Sequence, residues 1–117
     1  MGDIEKLKIT LQEFCAERDW DKFHTPKNLI MALFREVGEL GEIFQWKNDS
    51  SSNIKSLTVD EINDAKDEMA DILIYLIRLA DVLDVDLIDS SLKKIDKNRI
   101  KYPVNKSFGS AKKYTRL

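Results

Sequence analysis

Apolar residues recur at three- and four-residue steps through most of this chain, and that period predicts helices. Ile4, Leu7, Leu11, Phe14 and Cys15 form one stripe, so a first helix is expected over 3–17. The period breaks over 18–24, where Trp20, Phe23 and His24 cluster. Thr25-Pro26 restarts it, because threonine can accept from free N–H groups and proline is pre-set for the first helical position. A second helix should then run to about residue 46, and the polar run 48–56 reads as an exposed loop. Thr58-Val-Asp-Glu61 has capping-box spacing and opens a third helix reaching about residue 83. Over 69–83 that helix is apolar on nearly every side, so it needs cover from several directions. So short a chain has few helices to supply that cover, which points to an oligomer. Asp86 caps a fourth helix, with Leu87, Ile88, Leu92 and Ile95 expected to face inward. It should end near Tyr102-Pro103, since a residue before proline avoids helical geometry. The expected fold class is all-α: four to five helices in one domain over 1–104, then a basic irregular tail over 105–117.

Composition agrees with helix and narrows the setting. With 117 residues the chain suits one modest domain, and its four glycines and two prolines leave helices uninterrupted. The longest apolar run, 72–77, falls far short of the roughly 18–20 residues that span a bilayer, so no membrane association is expected. The first residues alternate charged and apolar types, unlike a secretory signal. A single cysteine, Cys15, excludes an intrachain disulfide and reads as a small core residue. The cytoplasm is the default compartment. Net charge is −2, but it is unevenly spread: residues 93–117 hold nine of the 19 basic side chains and one of the 21 acidic ones. An acidic body with a basic tail leaves three uses for the tail: nucleic acid, a bound anion, or a neighbouring subunit.

Two acidic pairs carry the candidate chemistry. Glu36-Val-Gly-Glu39 lies in the second helix and Glu68-Met-Ala-Asp71 in the third, and three-residue spacing sets each pair on one helical face. One such pair is ordinarily a solvated face. Here Glu36 sits at helical intervals from Leu29, Leu33, Leu40 and Ile43, and Glu68 from Ile72 and Tyr75. Carboxylates beside apolar stripes must gather protons, basic partners or metal ions. His24 is the only histidine and is in neither pair, and there is no thiolate cluster, so zinc and Glu-x-x-His di-iron sites are disfavoured. Oxygen-only ligation favours Mg²⁺ or Mn²⁺, and Mg²⁺ so held commonly meets its substrate through phosphate oxygens.

The acidic motif, Glu36-x-x-Glu39 and then Glu68-x-x-Asp71 after a 28-residue gap, resembles that of the MazG-like all-α nucleoside triphosphate pyrophosphohydrolases. The dCTP pyrophosphatase branch is the most similar. Further stretches carry the likeness: Ala16-Glu-Arg-Asp-Trp20, Phe23-His24, Pro26-Lys-Asn-Leu29, Phe44-Gln-Trp46, Asp71-Ile-Leu-Ile-Tyr75, Asn98-Arg99 with Tyr102-Pro-Val104, and Gly109-Ser-Ala111 with Lys113-Tyr-Thr115. The resemblance implies a MazG-like bundle assembled as a homotetramer, a dimer of dimers. It implies Mg²⁺-dependent hydrolysis of a nucleoside triphosphate, dCTP or a modified dCTP, to the monophosphate and pyrophosphate, in the service of nucleotide-pool house-cleaning. Glu36, Glu39, Glu68 and Asp71 would hold Mg²⁺, with Mn²⁺ as a substitute. Glu39, with Glu36 beside it, would position or deprotonate the attacking water. Trp20, Asp21, Lys22, Phe23, His24, Trp46 and Tyr75 would line the nucleotide site, and Lys94 and Asn98 would reach the phosphates. One departure stands out, for animal relatives carry a histidine in the first helix at the position of Leu11.

Two rival readings remain open on the residues alone. A non-catalytic helical module binding nucleotide or protein explains the helices but not four acids beside apolar stripes. A nucleic-acid binder working through the basic tail is disfavoured by the acidic body, which would repel phosphate backbones.

Overall fold

The computed structural model describes residues 1–48, 50 and 53–117. Positions 49, 51 and 52, within the expected loop, lie outside the described residues. Five α-helices and no strand occur among the described residues: α1 (Asp3–Glu17), α2 (Pro26–Phe44), α3 (Val59–Val82), α4 (Leu87–Lys101) and α5 (Val104–Ser107). The described elements also include three 3₁₀ turns, Asp21–Phe23, Ile54–Ser56 and Tyr114–Arg116. Among the described residues, no helix is long and apolar enough to cross a membrane.

The chain divides into two compact units, Met1–Asp84 and Val85–Leu117. In the first unit, local chemistry sets each boundary. Asp19, at φ 56°, takes the left-handed conformation that aspartate tolerates better than most residues. The reversal lets the N–H groups of Asp19 and Trp20 donate to the carbonyls of Ala16 and Cys15, at 3.1 and 3.0 Å, which closes the end of α1. Thr25 caps α2 by accepting from the Asn28 N–H at 3.3 Å, and Asn28 Nδ2 donates back to the Phe23 carbonyl at 2.9 Å. The 3₁₀ turn is thereby tied to the start of α2. That helix ends at Phe44, two residues earlier than its pattern suggests, and Trp46 falls in the turn beyond it. At α3 the expected capping box is complete: Glu61 N–H donates to Thr58 Oγ1 at 3.1 Å, and Thr58 N–H donates to Glu61 Oε1 at 2.9 Å. Lys47 pairs with the same glutamate at 3.0 Å, anchoring the far end of the loop.

Packing of α2 on α3, and of α1 on α3, encloses a small core of Cys15, Leu29, Ala65, Ile77 and Ala80. That core leaves apolar surface uncovered. Ile30, Phe34 and Val37 form an exposed stripe along α2, and Met69, Leu73 and Leu76 form another along α3. Both repeats follow the four-then-three step of one helix face.

In the second unit, Asp86 caps α4 by accepting from the Asp89 N–H at 2.9 Å, as its sequence predicts. Ile88, Leu92 and Ile95, expected to face inward, are all exposed, because one helix and a short tail offer too little surface to cover them. The tail is pinned by Tyr114, whose ring meets Tyr102 edge-on at 5.9 Å and lies 4.9 Å from Lys101 Nζ.

A candidate metal and nucleotide site

Where α2 packs on α3, one carboxylate oxygen from each of Glu36, Glu39 and Glu68 lies within 4.8 Å of the others. Glu36 is only 6 % exposed, as its apolar neighbours Leu29, Leu33, Leu40 and Ile43 foretell. The Oε2 atoms of Glu36 and Glu68 are buried, and with both carboxyls ionised neither meets a hydrogen-bond donor. Such atoms are costly to bury and rare in folded proteins. The cluster relieves its repulsion by retaining a proton. Hydrogen bonding with Glu36, burial and the charge of Glu39 push the Glu68 carboxyl up to about 7. Burial pushes Glu36 upward too, but hydrogen bonding with Glu68, Arg35 and Glu39 outweighs it and holds that group below its ordinary value.

Among the described residues, the cation paired with the cluster is loosely held. Arg35 approaches Glu36 at 3.3 Å and Glu39 at 4.0 Å, yet its side chain is 62 % exposed and free to swing away. Beside the cluster, an open groove is lined by Glu39, Glu42, Ile43, Asp64, Asp67 and Glu68, with no basic side chain among them. An anionic ligand entering that groove needs cations to accompany it. The donor set is oxygen-only, two of its oxygens are buried and unpartnered, and the charge is strongly negative. Those properties fit a hard divalent ion such as Mg²⁺.

Asp71 behaves differently from the three glutamates. It lies one turn beyond Glu68 but outside their 4.8 Å group. Burial, then the charges of Glu36 and Asp67, push its carboxyl above the usual aspartate value. Its side chain lines a separate cavity of about 320 Å³, enclosed by Thr10, Leu11, Phe14, Cys15, Trp20, His24, Ile74, Tyr75 and Arg78 as well. Asp71 thus stands between the acidic cluster and an aromatic-walled space of a size suited to a flat ring.

Of the aromatic and polar candidates named from sequence, Trp20, His24 and Tyr75 line this cavity, whereas Asp21, Lys22, Phe23 and Trp46 do not. Asp21 is held by Arg78, and Lys22 pairs with Asp19 at 2.8 Å. Phe23 and Trp46 are 56 % and 90 % exposed. Lys94 and Asn98 lie one turn apart on α4, in the second unit.

Arg78 was not among the sequence candidates, although its signal was present. It is the one charged residue between Asp71 and Asp81 in an otherwise apolar stretch. Only 9 % exposed, it uses all three guanidinium nitrogens. Nε donates to His24 Nδ1 at 3.1 Å, Nη1 to Asp81 at 3.3 Å, and Nη2 to Asp21. Gln12 of α1 completes the set by donating to Asp81 at 2.9 Å. Burial, reinforced by the Arg78 charge and opposed by Asp21, pushes the His24 imidazole below its ordinary pKa.

Comparison with known proteins identifies the family. The MazG-like family model matches residues 34–117, which include all four acids. The chain is 48 % identical over 114 residues to dCTP pyrophosphatase 1 of Bos taurus, covering 97 % of this chain and 68 % of that protein. It is 46 % identical to dCTP pyrophosphatase 1 of Mus musculus and 44 % identical to that of Homo sapiens, in each case over 97 % of this chain and 67 % of the relative. Among solved structures, a pyrophosphatase from Archaeoglobus fulgidus superimposes with a TM-score of 0.81 at 41 % identity. That superposition covers 88 % of this chain and 94 % of the other.

Proposed function

The chain belongs to the MazG-like family, and on that premise we propose that it hydrolyses a nucleoside triphosphate, dCTP or a modified dCTP, to the monophosphate and pyrophosphate. The observation that carries this reading is the convergence of Glu36, Glu39 and Glu68 with two buried, unpartnered oxygens. A proton held between Glu36 and Glu68 offsets part of the cost of that arrangement, and a divalent ion would offset it more fully.

Glu36, Glu39 and Glu68 would hold Mg²⁺, or Mn²⁺ in its place, with Asp71 as the fourth carboxylate one turn further along α3. Bound there, the ion supplies neutralisation of triphosphate charge and orientation of the α-phosphate. Glu39 is the group suited to accept a proton from the attacking water at a carboxylate oxygen. Its side chain is 42 % exposed, against 8 % for Glu36, so solvent reaches it directly. Attack forms an oxygen–phosphorus bond at the α-phosphate and breaks the bond to the bridging oxygen, which leaves with pyrophosphate. Trp20, His24 and Tyr75 receive the base in the adjoining cavity.

The exposed stripes of α2 and α3 support burial against further copies of the chain, as in a homotetramer built as a dimer of dimers. With that chemistry the chain would serve to clean or balance the cytoplasmic nucleotide pool.

A direct test follows from the products. Incubating the protein with Mg²⁺ and a panel of nucleoside triphosphates, followed by ³¹P NMR, should give monophosphate and pyrophosphate in equal amounts, fastest with a dCTP-type substrate. Orthophosphate as the first product would mean that a different bond is cut. Absence of turnover with tight nucleotide binding would make the chain a binding module.

A further inference from the structure

We propose that Arg78 is a positioning residue for the nucleobase: it fixes His24 as the tautomer protonated at Nε2 and fastens the turn carrying Trp20 and His24 to α3. The cavity then presents one fixed hydrogen-bond donor to an acceptor atom on the ligand's ring, either a carbonyl oxygen or an unprotonated ring nitrogen. This inference rests on the nucleotide reading of the cavity, but its first step concerns the protein alone.

Geometry makes the assignment. Arginine has no acceptor and stays protonated, so its Nε can only donate. The 3.1 Å contact to His24 Nδ1 therefore requires Nδ1 to carry a lone pair, and a neutral imidazole must then hold its proton on Nε2. Conversion to imidazolium would put an N–H against an N–H beside a full positive charge. Asp21 faces the same guanidinium through Nη2, and Asp81 faces it through Nη1, so both carboxylates hold the arginine in register rather than competing for the histidine. No hydrogen bond from Nε2 occupies that donor among the described residues, and His24 lines the cavity together with Arg78. The same fork restrains backbone. Asp21 begins the 3₁₀ turn, Trp20 precedes it and His24 follows it, so one buried side chain on α3 governs the cavity's first wall. Edge-on contact of Trp20 with Phe14 at 5.6 Å and with His24 at 6.5 Å transmits that placement to the ring face available for stacking.

His24 is the only histidine, so its imidazole ¹⁵N signals can be read without assignment. Long-range ¹H–¹⁵N spectra of the wild-type protein between pH 6 and 8 should show a protonated Nε2 and a bare Nδ1. In Arg78→Leu the tautomers should mix, and KM for the nucleotide should rise about tenfold, the value of one hydrogen bond, with kcat less affected. Arg78→Lys keeps the charge but not the fork, and should recover part of both signals. If Arg78→Leu fails to fold, the wild-type and lysine spectra still decide the matter. A wild-type histidine protonated at Nδ1, or a lysine variant indistinguishable from wild type in tautomer and KM, would overturn the proposal. Should wild-type protein turn over no nucleotide while the Nε2 tautomer is found, the nucleotide reading fails and the Arg78–His24 lock stands.

Discussion

The helix α3 carries two buried polar sites about 15 Å apart, one at Glu68 and one at Arg78, and they are built on opposite principles. At Arg78 every charge is answered: one guanidinium meets Asp21, Asp81 and His24, and Gln12 meets Asp81 in turn. At Glu68 three carboxylates crowd together, two buried oxygens meet no donor when ionised, and among the described residues the cation paired with them is an exposed arginine. A satisfied network rigidifies its surroundings, while an unsatisfied one waits for a ligand. The first site is therefore scaffold for the cavity and the second is the place where a cation belongs. Helix α3 combines the two by running its acidic half along α2 and its arginine under the turn that leads into α2.

The contrast is most sharply broken by removing charge from the acidic site. Glu36→Gln or Glu39→Gln should reduce turnover at least a hundredfold in a steady-state pyrophosphate assay, with helicity by circular dichroism unchanged. Near-normal activity in Glu39→Gln would remove that residue from the chemistry. A second effect concerns protons. Because Glu68 holds its proton up to about pH 7, a cation must displace it, and Mg²⁺ affinity should rise by up to about tenfold per pH unit below that point, then level off. An affinity that is flat from pH 5.5 to 8 would contradict the shared-proton account.

Stability should respond with opposite signs at the two sites. A carboxyl whose folded pKa is raised contributes stability that is present below its ordinary value of 4.5 and lost as pH climbs through about 7. Metal-free protein should accordingly lose melting temperature across that window, and Glu68→Gln should remove much of the loss and melt higher than wild type at pH 8. At the other site, Asp81→Asn should destabilise at pH 8 by about 1–2 kcal/mol, since it weakens a partly buried charge-assisted bond. Thermal melts of both variants in chelator test this pair together, and two shifts of the same sign would erase the distinction. The smallest expected effect lies outside both sites: Thr58→Ala should cost about 1 kcal/mol by opening the capping box of α3, with the acidic site unaltered.

Much of this was legible in the chain because the governing interactions are local. The starts of α2, α3 and α4 follow from Thr25, Thr58 and Asp86, which cap within three residues of themselves. The burial of Glu36 follows from leucines one and two turns away, and the family motif follows from the spacing of four acids. Contacts between helices were less accessible. Nothing in the spacing of Glu68 and Asp71 separates a member of the oxygen cluster from a wall of the cavity, since that depends on how α3 rotates against α2. Arg78 was passed over because a solitary arginine acquires meaning only when Asp21, 57 residues earlier, is seen to meet it. The inward face expected for α4 failed for a related reason. A periodic stripe shows which side of a helix is apolar, but not whether anything in the same unit covers it.

The claim at the centre of this account is that the unsatisfied carboxylates form a divalent-cation site. Calorimetric titration of Mg²⁺ into metal-free wild-type protein at pH 6, repeated in two buffers of different ionisation enthalpy, measures both binding and the protons released. The account predicts saturable binding accompanied by proton release, and its loss in Glu36→Gln. Binding that is no stronger in wild type than in Glu36→Gln, or that releases no proton, would contradict it.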